Sequence, residues 1–294
     1  MNNQDKPGVI LVPVDYSEQS IIALEQAVSL SKVFHSEIHV LNVIGEDFLS
    51  KLFDDSDTAE MDKRAKAKLS DFLKGKSEEL GVELKGIQVY GKVYEQVANT
   101  ADVLDAQFIV MGTAGTPTLK KKFIGSNALR VVRESHKPVI TIKGKHHRKG
   151  CQNIVLPLDL TKETREKVAK AIEFAKRFGS IVRVVSVLMT NDEFVVNRLT
   201  RQLDQVKKFI EEHGVVCTAE IVRDTKGDST LADSIIDYSN KCKGDLIMIM
   251  TQQETDFTDF FIGSAAQGII NGSDIPVLSI IPSPKKDTTS FVPY

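Results

Sequence analysis

Gly112, Gly115, Gly125 and Ser126 stand in the spacing G-x2-G-x9-G-S, directly after the apolar run Phe108–Met111. Glycine admits backbone conformations closed to other residues and lets a ligand approach without a Cβ in the way. Gly125-Ser126 opens a helix, and a helix amino terminus presents unpaired N–H groups with a partial positive charge, a seat for phosphate. Ser126 adds a hydroxyl donor, and Lys120, Lys121 and Lys122 add diffuse positive charge. The same glycines equally fit a plain turn and the same lysines a solvated face, because a single short motif has many chance matches.

The elements that must position this loop alternate in type. Val9–Val14 is a continuous apolar run, the pattern of a strand buried on both faces, and it ends at Asp15. Ser17 is placed to cap a helix with Glu18 in its first turn, and Ile21, Leu24, Ala27, Val28 and Ser31 follow at helical spacing. Strands are expected at Ile38–Ile44, Leu84–Val89, Phe108–Met111 and Val139–Ile142. Between them fall a long helix through Met61, Leu69, Phe72 and Leu80, stopped by Gly81, a helix from about Tyr94, and one over Ser126–Ser135. Strands alternating with helices imply a parallel sheet covered on both faces, with ligands beyond the carboxyl ends of the strands.

The chain repeats itself. ILVPVDYS at 10–17 returns as IVLPLDLT at 154–161, and IHVLNV at 38–43 as VRVVSV at 182–187, both at an offset of 144. FIGSNA at 123–128 returns as FIGSAA at 261–266 at an offset of 138. Two domains are expected, 1–146 and 151–294, with a seam near KGKHHRKG at 143–150. The 294 residues suit two ordinary cores, and 41% hydrophobic with 27% charged residues is globular composition. A net charge of −2 supplies no global field for nucleic acid or an anionic membrane. The polar start MNNQDKPG, the lack of an apolar run of about 20 residues and three scattered cysteines point to a reducing cytoplasm.

The glycine loop after a buried strand, paired with the opening ILVPVDYS, resembles the universal stress protein family through both halves. That resemblance implies α/β architecture: two tandem Rossmann-like domains of the adenine nucleotide alpha hydrolase kind, each a five-stranded parallel sheet of order 3-2-1-4-5. It implies ATP, or AMP or ADP, as ligand, with or without Mg2+. Gly112, Gly115, Gly125, Ser126 and Asn127 would be phosphate or ribose contacts, and Met111 would be a further nucleotide-binding position. Asp15 with the Pro13-Val14 backbone would meet adenosine, and Val43 would pack on the base. Ala128 stands where many members have a hydroxyl residue, so one phosphate contact is absent. The family's habit of pairing through the fifth strand implies an intrachain pseudo-dimer of the two domains, with a further homodimer left open.

The second half departs from the pattern. Gly112 falls on Met250 and Gly115 on Gln253, and the loop carries Glu254, Asp256 and Asp259 where the first half has lysines. Like charge repels phosphate, so this second loop reads as degenerate. Asp159 remains, equally readable as a helix cap. His146-His147 and Asp54, Asp55 and Asp57 lack the spacing of a metal site. Nothing near the glycine loop is an obvious general base, so at most weak ATP hydrolysis is expected. The leading function is therefore a nucleotide-binding stress or signalling protein. A nucleotide-independent interaction module and an adenylyl-transfer type of enzyme are the alternatives.

Overall fold

The computed structural model describes residues 7–45, 58–113, 125–145, 147, 150–158, 164–188, 192–223, 230–251 and 263–281. The calls at Gly115, Lys120, Lys121, Lys122, Asp54, Asp55, Asp57, His146, Asp159, Gln253, Glu254, Asp256 and Asp259 lie outside the described residues. The chain divides into two compact units, Met1–Lys149 and Gly150–Tyr294.

In the first unit the order is β1 (Gly8–Pro13), α1 (Glu18–Phe34), β2 (Ser36–Ile44), α2 (Thr58–Leu80), β3 (Leu84–Tyr90), α3 (Val93–Val103), β4 (Phe108–Gly112), α4 (Ser126–Glu134) and β5 (Val139–Ile142). The strands lie β3-β2-β1-β4-β5 and every described pairing is parallel. Ile10, Leu11, Val12, Ile109 and Val110 are wholly buried, which explains why these strands read as unbroken apolar runs rather than alternating ones. Ser17 caps α1, its side chain accepting from the Ser20 N–H. Gly81 ends α2 with a positive φ of 65°, a conformation that costs glycine nothing.

The second unit repeats the sequence of elements: β6 (Asn153–Pro157), α5 (Thr164–Phe178), β7 (Ile181–Leu188), α6 (Glu193–Glu212), β8 (Cys217–Arg223), α7 (Leu231–Lys241), β9 (Leu246–Met250), α8 (Ser264–Gly272) and β10 (Val277–Ile280). Its strands lie β8-β7-β6-β9-β10, again in parallel. The strand order 3-2-1-4-5 thus holds within each unit. In each, the chain leaves the first strand in one direction and returns to the fourth on its other side. That switch opens a crevice beyond the carboxyl ends of β1 and β4, and of β6 and β9. Among the described residues no helix is long and apolar enough to cross a membrane.

Candidate functional site

At the carboxyl end of β1 the backbone is held from both sides. The Val14 N–H donates to the Leu41 carbonyl at 2.8 Å, and the Asn42 side-chain amide donates to the Val14 carbonyl at 2.9 Å. Val14 is buried, so its N–H is fully engaged and its role is to fix the turn that follows. Asp15 is exposed, and its Oδ1 accepts from both the N–H and the hydroxyl of Ser17. Oδ2 has no protein partner among the described residues, so one carboxylate oxygen, fixed in direction by Ser17, remains able to accept a hydrogen bond. Val43 is half-buried at the end of β2, in register with Val89.

Tyr16, which sequence reasoning passed over, makes that turn. It holds φ at 65°, a region that a bulky residue adopts only when its surroundings compel it. Its ring meets Phe72 of α2 edge-on at 5.2 Å, and the Lys68 Nζ lies 4.1 Å above it. Burial raises the phenol above its ordinary range, so the hydroxyl stays neutral. The strained conformation is repaid by packing on α2, and no residue type in the sequence announces it.

At the end of β4, the Thr113 N–H donates to the Ile142 carbonyl at 2.9 Å, tying the strand end to β5. The Gly125 N–H donates in turn to the Thr113 carbonyl at 2.6 Å, so the two ends of the glycine loop meet. Gly125 is the N-cap of α4, in extended conformation (φ −55°, ψ 138°) and without a side-chain cap. Ser126 and Asn127 are exposed, and as the first two helical residues their N–H groups have no intrahelical acceptor. Ala128 is buried, its N–H directed back to the Gly125 carbonyl at 3.0 Å. β1 and β4 run side by side through Ile10↔Phe108 and Leu11↔Ile109, with Pro13 and Met111 each two residues further along their strands. An anchored carboxylate and an open helix terminus therefore flank one crevice.

Gly112 has a role that spacing did not reveal. A Cβ there would fall 2.8 Å from the backbone carbonyl of Gln19, in the first turn of α1. The missing side chain makes room for a helix of the protein itself.

The second unit repeats three of these bonds, while among the described residues the Gly125–Thr113 bond has no counterpart between Gly263 and Thr251. The Leu158 N–H donates to the Val185 carbonyl at 2.8 Å, the Ser186 hydroxyl to the Leu158 carbonyl at 2.8 Å, and the Thr251 N–H to the Ile280 carbonyl at 3.1 Å. Gly263 caps α8 at φ −56° and ψ 146°, also without a side-chain cap. What differs is the filling. Met250 stands where Gly112 does, and Lys167, 9% exposed, reaches from α5 to the Pro157 carbonyl at 3.1 Å. The equivalent residue in α1 is Ala23, wholly buried.

Among the described residues no group of three or more His, Cys, Asp or Glu side chains is placed to hold a metal ion. His147 instead bonds Glu25 at 2.8 Å.

A family model described as the universal stress protein family matches residues 8–143 and again 150–280. The chain is 30% identical over 154 residues to universal stress protein MJ0577 of Methanocaldococcus jannaschii, covering 47% of this chain and 95% of that protein. It is 28% identical over 154 residues to universal stress protein MJ0531 of the same organism, covering 48% and 85%. A solved universal stress protein from Archaeoglobus fulgidus superposes with a TM-score of 0.73 at 23% identity, over 93% of this chain and 98% of its own; that likeness concerns the fold.

Proposed function

The chain belongs to the universal stress protein family, and from that premise we propose that its first unit binds one adenine nucleotide, ATP or its shorter relatives ADP and AMP. The observation that carries the reading is the open amino terminus of α4, drawn against the end of β4 by the Gly125–Thr113 bond. Phosphate oxygens would accept from the Ser126 and Asn127 N–H groups and the Ser126 hydroxyl, with Gly115 completing the loop. Asp15 Oδ2 would accept from the ribose, and Val43 would pack on the base. With no metal cluster among the described residues, a Mg2+ ion arriving with the nucleotide would be held by phosphates and water.

The second unit is read as structural or regulatory. Met250 and Lys167 stand where the first unit has Gly112 and Ala23, and the Lys167 ammonium is engaged at the Pro157 carbonyl. In this reading the protein serves stress response or signalling through occupancy of the first site, which changes what the chain presents to a protein partner. Calorimetric titration of the intact chain with ATP, ADP and AMP tests it. One site per chain is expected, and two equivalent sites or none would overturn it. Mass spectrometry of ligand released by heat from the purified protein identifies the nucleotide held.

A further inference from the structure

Arg130 is an exposed guanidinium with no carboxylate within ion-pair distance among the described residues. Its neighbour Arg133 is paired with Glu134 at 2.7 Å. Arg130 lies instead over the ring of Tyr94, its Cζ 4.9 Å from the centroid. Tyr94 is the second residue of α3, at the end of the sheet where β3 finishes. Arg130 follows Ser126 by four residues, which puts both on one stripe of α4, roughly 6 Å apart along the axis. Helical side chains lean toward the amino terminus, so this stripe carries the guanidinium toward the open N–H groups of Ser126 and Asn127.

The second unit supplies the comparison. At the offset of 138, Tyr94 becomes Ala232 and Arg130 becomes Gly268. A Cβ on Gly268 would fall 2.7 Å from the Ala232 Cβ, so α7 and α8 close on each other where α3 and α4 hold the pair. The N-cap is kept, with Gly263 and Ser264 matching Gly125 and Ser126 in residue type and the two caps matching in dihedrals, although Ala265 replaces Asn127 and the Gly125–Thr113 bond has no counterpart among the described residues. The unit with Met250 for Gly112 has therefore also lost a cation, on a different element.

We propose that Arg130 is a specificity-determining residue of the first site, reading the phosphate chain of the nucleotide. This rests on the nucleotide reading above. Parked on Tyr94, four residues along α4 from Ser126, the guanidinium has no hydrogen-bond partner among the described residues and can turn to the phosphates. A planar guanidinium takes two phosphate oxygens at once, a geometry that lysine lacks. The site thereby favours polyphosphates over a monophosphate, and a monophosphate over adenosine.

Titration of the intact chain with ATP, AMP and adenosine, in wild type, R130A, R130K and Y94A, tests this. R130A is expected to weaken ATP by roughly ten-fold or more and leave adenosine within about two-fold, with R130K between it and wild type. Y94A is expected to weaken ATP by less than R130A does, again with adenosine little changed. Equal losses for all three ligands would show a packing role and overturn the proposal, as would an unchanged ATP affinity in R130A. Failure of wild type to bind any of the three would overturn the nucleotide reading itself. Wild-type binding with R130A indifferent would overturn the Arg130 assignment alone.

Discussion

The Cβ that Gly112 lacks would lie 2.8 Å from the carbonyl carbon and oxygen of Gln19. Real Cβ atoms do not approach backbone so closely, so a side chain at this position forces α1 away from the end of β4. Gln19 is in the first turn of α1, two residues after the Ser17 that orients Asp15. One glycine therefore fixes how near the Asp15 turn stands to the glycine loop, whether or not it also touches a ligand.

Gly112→Val is expected to destabilise the chain without any nucleotide present. Overpacking of this kind costs about 1–3 kcal/mol. For a domain of this size that lowers Tm by roughly 2–4 °C per kcal/mol. Nucleotide affinity should fall with it. A melting curve of ligand-free G112V checks the assignment, because an unchanged Tm together with lost binding would show that the Cβ meets the ligand and not α1.

Gly115→Val is expected to abolish nucleotide binding, since the G-x2-G-x9-G-S spacing calls for glycine there and a side chain would bar the close approach of a ligand. Gln253→Val, at the matching place in the second unit, should leave affinity unchanged. Met250→Gly alone should create no second site, because Lys167 still occupies the end of β6. Calorimetric stoichiometry of the three variants decides, and two sites in M250G would refute the account of the second unit.

Most element limits were legible because strands buried on both faces leave unbroken apolar runs, as Ile10–Val12 and Ile109–Val110 do, while the sheet order came from the family resemblance. The strand read at Val139–Ile142 coincides with β5, and the long helix ended where Gly81 was expected to stop it. Limits drifted by a residue or two where polar residues extend a strand, as Ser36 and Glu37 do at the start of β2. The finer geometry was not legible. Tyr16 in a left-handed conformation, Asn42 holding the Val14 carbonyl and Gln19 against Gly112 all depend on neighbours brought from elsewhere in the chain. Arg130 and Tyr94 stand 36 positions apart, on helices that only the fold sets side by side.

Cys217 is expected to resist alkylation in the native protein. Burial first, and the Glu211 carboxylate second, push its thiol up to about 12. At pH 8 the reactive thiolate is then roughly one part in ten thousand, against about a quarter for a thiol of ordinary pKa. Iodoacetamide at pH 8 should leave Cys217 unmodified in the folded chain and modify it fully in denaturant, read by peptide mass spectrometry. Native labelling as fast as in denaturant would contradict this.

The two units cap one equivalent helix differently, and the difference predicts both a pH dependence and a stabilising substitution. In α7 the Thr230 side chain accepts from the Asp233 N–H at 3.2 Å, and the Asp233 carboxylate accepts from the Thr230 hydroxyl at 2.7 Å and its N–H at 3.1 Å, closing a capping box. The Thr230 hydroxyl first, then its backbone, hold the Asp233 carboxyl below its ordinary value. A depressed folded pKa means the contribution is present above the unfolded pKa, near 4, and is lost as pH falls through the folded one. Thr230→Ala should therefore cost about 1 kcal/mol at pH 7, and Asp233→Asn should flatten the fall in stability below pH 4. In α3 the N-cap is Lys92, which makes no side-chain cap, while Glu95 already stands at the third helical position. Lys92→Thr completes the box and should gain about 0.5–1 kcal/mol. Urea unfolding of the three variants and wild type between pH 3 and pH 7 reads all of this. A Lys92→Thr variant no more stable than wild type, beside a costly Thr230→Ala, would mean that Glu95 is held too firmly by Tyr94, at 3.0 Å, to turn back to the cap.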